Sequence, residues 1–389
     1  MRTETTGAPP LYKKPRESGI ELLKIFALLF IVISHIAQTV TTSHEFIWYP
    51  EYVFNIETAS FNLNAIGVLL CRHLGSLGNH IFFIASFWFL CENPKGVKTE
   101  KIAWFVIDVW VISVLMLIGI SVFCGHVPAK LLIKSIFPTL FSNNWFITCY
   151  IIIFALHPVL NRVISSLEHR DLLLFCIIVV SMYFVFGMIS SGFFFSSPII
   201  VFVSLYFVVA YVKKYRIEWA NNVKLNALLF ASSLILFLIL IFATEFMGML
   251  VSFLRNKMLH WNSNQNLLIL LIAFAMFNVV RAIKFSSKFI NYIASVSLIV
   301  YVTHENILFR QLIRPYIFTK IYENYGYDDI IAWIMILAII LFVMSVIVSI
   351  VYKTTIQRFT FVTARSIDSG MRRLVSRILD AMTSAKSSV

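Results

Sequence analysis

The sequence predicts an all-α integral membrane protein: a polytopic helix bundle of about ten transmembrane helices with both termini inside. Three observations carry this. Hydrophobic residues make up 59% of the 389-residue chain and charged residues only 13%, against about 45–50% and about 25% in soluble domains. The apolar residues gather in runs near the roughly 17–25 residues that cross a bilayer. Lysine and arginine are divided unequally between alternate connections, as the positive-inside rule requires.

In chain order the apolar runs lie at 20–42, 78–92 (extendable toward the N-terminus), 102–124, 145–160, 172–190, 194–212, 225–248, 265–283, 292–312 and 330–352, the second and fourth being short. With the N-terminus inside, the inner segments hold 23 Lys and Arg and the outer ones 8, with Lys24 left within the first run. The net charge of +13 is therefore mostly a topological signal, and nucleic acid is a poor partner for it. The first run is too long for a signal-peptide core and lacks a small-residue cleavage site, so it reads as a retained helix.

Residues 1–16 are polar and proline-containing, as in a disordered inner tail. Residues 17–353 form the transmembrane unit, and 354–389 an inner tail in which Ile367, Met371, Leu374, Ile378 and Met382 recur at helical spacing opposite Arg372, Arg373 and Arg377. That pattern predicts an amphipathic helix on an anionic leaflet. The longest outer segment, 43–77, is aromatic and then apolar, consistent with a short or re-entrant helix. The five cysteines lack metal-ligand spacing and read as small hydrophobes; Cys71 and Cys124 both fall toward the outer side, where a bridge is allowed.

Polar residues inside apolar runs are costly, about 2.5–3.5 kcal/mol for a charge at mid-membrane, and mark function. In "ELLKIFALLFIVISHIAQ", Lys24 and His35 are eleven residues apart, close to three turns, so they share a helix face about 16 Å apart along the axis. Ser34, Gln38 and Thr39 extend the stripe. Ser18 and Glu21 fit the S-x-x-E capping box, making Glu21 structural and a partner for Lys24 at i+3. A second cluster, Thr303-His304-Glu305-Asn306, lies at a depth similar to that of His35, although solvation of Glu305 and Asn306 at the outer interface is an alternative. Asp108, near the inner end of the third run, suggests a partner for a lysine.

These residues resemble the membrane acyltransferase family 3, integral-membrane enzymes that O-acylate bacterial surface polysaccharides. "ELLKIFALLFIVISH" is similar to the family's first helix, a basic residue, ten residues and histidine, with Lys24 where arginine is more usual. "GNHIFFIASFWFL" resembles its second-helix pattern through Gly78, Phe82, Phe83 and Ser86, with Phe87 replacing a glycine. "NNWFITCYIIIFALHPVLN" follows its W-F-x-x-x-Y helix through Trp145, Phe146, Tyr150 and Pro158. "SVSLIVYVTHENIL" follows its late Y-x-x-H helix through Ser297, Tyr301 and His304, and the basic pair after the second helix survives only as Lys98 and Lys101.

The resemblance implies transfer of an acyl group, most often acetyl, from cytoplasmic acyl-CoA to a hydroxyl of a glycan at the outer face of a bacterial cytoplasmic membrane. The donor is a substrate; no permanently bound cofactor and no metal is implied. Acyl transfer needs a base for the alcohol proton, and His35, with imidazole's ordinary pKa of about 6.5, suits it. Lys24, Lys98 and Lys101 suit the CoA phosphates, His304 or Glu305 would orient His35 or bind the acceptor, and Trp145 and Gln38 would contact substrate. Direct transfer and a covalent acyl-histidine remain open. A lipid-linked sugar transporter, expected to carry inverted repeats and broken helices, and a membrane glycan polymerase are the alternatives.

Overall fold

The computed structural model describes residues 17–42, 53–54, 61–94, 96–141, 143–189, 197–251, 254 and 264–386. The expected N-terminal tail, 1–16, and residues 43–52 of the long outer segment lie outside them. Most of the described residues are helical, with no strand among them.

The chain forms α1 (Ser18–Thr41), α2 (Leu63–Leu90), α3 (Thr99–Cys124), the short α4 (Ala129–Ile136) and α5 (Trp145–Ser166). Next come α6 (His169–Val180), prolonged by a π-helical turn at Ser181–Phe186, α7 (Pro198–Tyr215) and α8 (Val223–Leu250). The remainder comprises α9 (Leu267–Ala282), α10 (Lys288–Ala294), α11 (Ser297–His304), α12 (Arg314–Tyr325), α13 (Ile330–Thr355) and α14 (Gln357–Lys386). Among the described residues eight helices are long and apolar enough to cross a membrane, and this all-α bundle is a multi-pass membrane protein.

Three apolar runs fold differently from expectation. The second starts at Leu63, so "AIGVLLC" belongs to the long α2 and not to a separate re-entrant helix; Asn62 Oδ1 caps it by accepting from the Asn64 and Ala65 amides. The run at 265–283 yields a helix of 16 residues. The run at 292–312 is broken: α11 ends at His304, Glu305 takes the bridge conformation (φ −103°, ψ 15°), and Asn306 Oδ1 caps the next helical stretch through the Leu308 amide. A break of this kind is tolerated at membrane depth only inside protein or beside a cavity.

Helix α1 runs through the centre, packed along α2 and also touching α9, α10 and α13. Its contact with α2 is close because Gly78 presents no side chain: a Cβ there would come within 2.4 Å of the Ala27 carbonyl oxygen. Ile20 to Ile31 belong to one apolar core and Val32 to Val40 to another. The exposed side chains of α3, α8 and α13 are mostly large and apolar, including Val122, Leu228 and Ile340, as a lipid-facing surface requires.

The capping box at Ser18 and Glu21 does not form. Ser18 Oγ instead accepts from the Ser287 amide (2.7 Å) and donates to Asn291 Oδ1 (3.0 Å), tying the start of α1 to that of α10. Glu21 keeps its i+3 partner, Lys24, at 3.2 Å. Asp108 is also satisfied differently from expectation, by hydroxyls of Tyr352 and Thr360 and the amide of Gln357 instead of a lysine. All five cysteines are free; Cys71 is buried while Cys124 is exposed at the end of α3.

Candidate active site

The break at Glu305 brings the two polar clusters together. His35 Nδ1 lies 3.1 Å from His304 Nε2 and 2.9 Å from Glu305 Oε2. His304 Nδ1 is 2.8 Å from the Val300 carbonyl oxygen, which only accepts. In the neutral imidazole the proton of His304 therefore sits on Nδ1, and its Nε2 is an acceptor. Both neighbours of His35 Nδ1 are then acceptors, so Nδ1 carries the proton and Nε2 is the basic nitrogen. Among the described residues Nε2 has no protein partner.

Glu305 is buried at 4% exposure, as is Asn306 at 1%, which removes the solvated reading of both. Its charge is balanced by two arginines: Arg310 Nη1 donates to Oε1 (2.7 Å) and Arg314 Nη2 to Oε2 (2.9 Å). A π-helical turn at Phe309–Ile313 lies between the break and α12 and carries Arg310. The two arginines, four residues apart, reach back to one carboxylate. Side-chain atoms of His35, His304 and Glu305 lie within 4.8 Å of one another, a spacing that would fit a cation. With both carboxylate oxygens already held by guanidinium groups, the cluster reads as an ion-pair network around an imidazole.

Two cavities approach this cluster along α1. One, of about 340 Å³, lies at the Lys24 end and is lined by Lys24, Lys101, Lys353, Glu21, Ser86 and the aromatic side chains of Phe82, Trp104, Phe105, Phe146, Tyr150 and Tyr301. The other, of about 230 Å³, holds His35 with Ser34, Gln38, Arg72, Ser76, Asn79, Trp145 and Asn264. Ile31, one turn before His35, lines both. Tyr301 packs on the lysine-end side, its ring centroid 6.2 Å from His35 and 5.1 Å from Phe146.

Lys24 and Lys101 thus enter one cavity, Lys101 over the rings of Phe105 and Phe154. Lys98 does not: it is the exposed N-cap of α3 and lies outside the cavity lining. Gln38 and Trp145 share the second cavity with His35, and Gln38 is held by donating to Ser34 Oγ at 3.0 Å. Sequence reasoning missed Arg72, Arg310 and Arg314, which count as outer-side charges in a topology tally. The signal for the last two was an acid in an apolar run followed at five and nine residues by arginines. By sequence alone Lys353 reads as an inner-side charge; the fold brings it to the lysine-end cavity.

The model of the acyltransferase 3 family, an acyltransferase domain, matches residues 17–353. Neither a curated protein nor a solved structure matches the chain. The family match spans α1 to most of α13 and includes both histidines, Glu305 and both cavities' principal residues. The chain therefore belongs to the acyltransferase 3 family and is a membrane acyltransferase.

Proposed function

We propose that the protein moves an acyl group, most simply acetyl, from acyl-CoA to a hydroxyl of a cell-surface or exported glycan, with His35 as general base. The carrying observation is the fixed tautomer of His35, whose Nδ1–H is held by His304 and Glu305 while the residue lines a polar cavity. The lysine-end cavity suits the donor: ammonium groups match phosphates, and the aromatic lining matches the pantetheine arm. The second cavity offers hydroxyls, amides and an indole face, chemistry that suits a sugar.

In this mechanism the acceptor hydroxyl gives its proton to His35 Nε2 as its oxygen forms a bond to the thioester carbon. Glu305 stabilises the resulting imidazolium, a charge that exists only along the reaction path. Collapse of the tetrahedral intermediate breaks the carbon–sulfur bond. The leaving thiolate takes the proton back from Nε2, releasing CoA and the ester.

The same reading puts the Lys24 end on the cytoplasmic side of a bacterial inner membrane, with α14 on its inner leaflet. Ile367, Met371, Leu374 and Ile378 are exposed along that helix and suit a lipid surface. The break at Glu305 is also a feature a transporter would carry, but the family match favours acyl transfer. The test is the O-acyl content of surface glycan, measured by NMR in cells with wild type, His35→Ala or no protein at matched membrane levels. Ester signals with the wild type alone are expected, a loss of about 10²–10⁴-fold in rate for the variant. Equal acylation in all three would sink the proposal.

A further inference from the structure

The family match ends at Lys353, yet the lysine-end cavity continues past it to Gln357. Lys353, in the last turn of α13, and Gln357, the first residue of α14, both line it. They are held there by a buried latch. Asp108, 1% exposed on α3, accepts from Tyr352 Oη (2.8 Å), Thr360 Oγ1 (2.6 Å) and Gln357 Nε2 (3.2 Å). Further along α14, Arg372 donates to both Asp368 (2.9 Å) and Thr99 Oγ1 (2.9 Å), the latter at the start of α3.

Burying a carboxylate is costly unless it is hydrogen-bonded, and the three bonds that offset that cost here fix the α13–α14 corner against the cavity wall. Lys353 Nζ donates to Ser295 Oγ and stands 4.5 Å over the Tyr292 ring. Lys24, Lys101 and Lys353 thus bring ammonium groups from three helices to one cavity. The lining also holds the carboxylates of Glu21, paired with Lys24, and of Asp108, hydrogen-bonded to hydroxyls and an amide; the three ammonium groups outnumber these two acids, which leaves the lining net basic and suited to an anion.

We propose that Lys353 and Gln357, positioned by the Asp108 latch, form a subsite for the phosphorylated nucleotide end of the donor, so that α14 completes the donor site from beyond the family domain. The inference rests on the acyl-CoA reading above. The pantetheine arm alone, lacking that end, would not engage the subsite.

The full chain in nanodiscs is assayed with acetyl-CoA and with S-acetylpantetheine as donors. For Lys353→Met, KM for acetyl-CoA should rise about tenfold with little change in kcat, while KM for S-acetylpantetheine stays at the wild-type value. Lys353→Arg should restore acetyl-CoA affinity. An equal effect on both donors, or no effect on either, would overturn the subsite. Calorimetry with CoA on the His35→Ala protein separates the two failures: CoA binding that Lys353→Met leaves unchanged removes the subsite alone, whereas no CoA binding at all removes the acyl-CoA reading with it.

Discussion

The two cavities that meet at Ile31 differ in chemistry although α1 lines both. The one at the Lys24 end is aromatic and basic; the one at the His35 end is built from hydroxyls, carboxamides, a guanidinium and an indole. A single ligand would not need both linings. Two ligands of unlike character, one anionic with a long arm and one rich in hydroxyls, would. On the proposed reading, His35 stands beside the wall between them and each substrate would enter from its own end.

The largest effects are expected at the group that serves both sides. Glu305→Gln keeps the shape but removes the charge opposite any imidazolium, and should lower kcat about 10²-fold with little change in either KM. Truncation to Glu305→Leu strands two arginines, one of them 2% exposed. Breaking a buried pair costs about 3–5 kcal/mol, so the thermal midpoint should fall, and adding Arg310→Leu and Arg314→Leu should recover stability without activity.

The wall itself comes next. Ile31→Trp would fill the junction and should reduce turnover by about tenfold or more, since small misplacements of reacting groups can cost up to about 10² in rate. Donor binding by calorimetry should remain measurable. A variant with unchanged turnover would show that the cavities do not communicate there.

Each end can then be tested alone. Lys24→Met should raise KM for acyl-CoA about tenfold, or about 1.4 kcal/mol, without altering the acceptor KM. Gln38→Ala should give the smallest effect, a rise of about two- to fivefold in acceptor KM, with the donor KM unchanged. Crossed effects, Lys24 acting on the acceptor or Gln38 on the donor, would contradict the division into two ends.

Much of α1 was legible from local pattern. The shared face of Lys24 and His35 follows from helical period, and their cost in hydrocarbon singles them out as candidates. The Glu21–Lys24 pair also follows from spacing alone. The region from Ser295 to Ile313 was less legible. Its apolar run reads as one helix, but Asn306 caps a new one and Glu305 lies in the gap. Hydropathy averages over that gap, because two polar residues among many apolar ones hardly change a window.

Composition and charge placement by themselves determined that this is a multi-span helical membrane protein, because hydrocarbon admits few polar residues and helices satisfy their own backbone. Motif order along the chain determined the family, and helical period placed Lys24 and His35 on one face of α1. Only the tertiary structure decided which charges are solvated and which are buried. Arg310 and Arg314 balance Glu305, Lys98 stays outside while Lys353 enters the lysine-end cavity, and Asp108 binds α14 instead of a lysine. Each of these depends on contacts between segments far apart in sequence. In a low-dielectric interior such contacts fix the energy of a charge far more strongly than its own neighbours along the chain do.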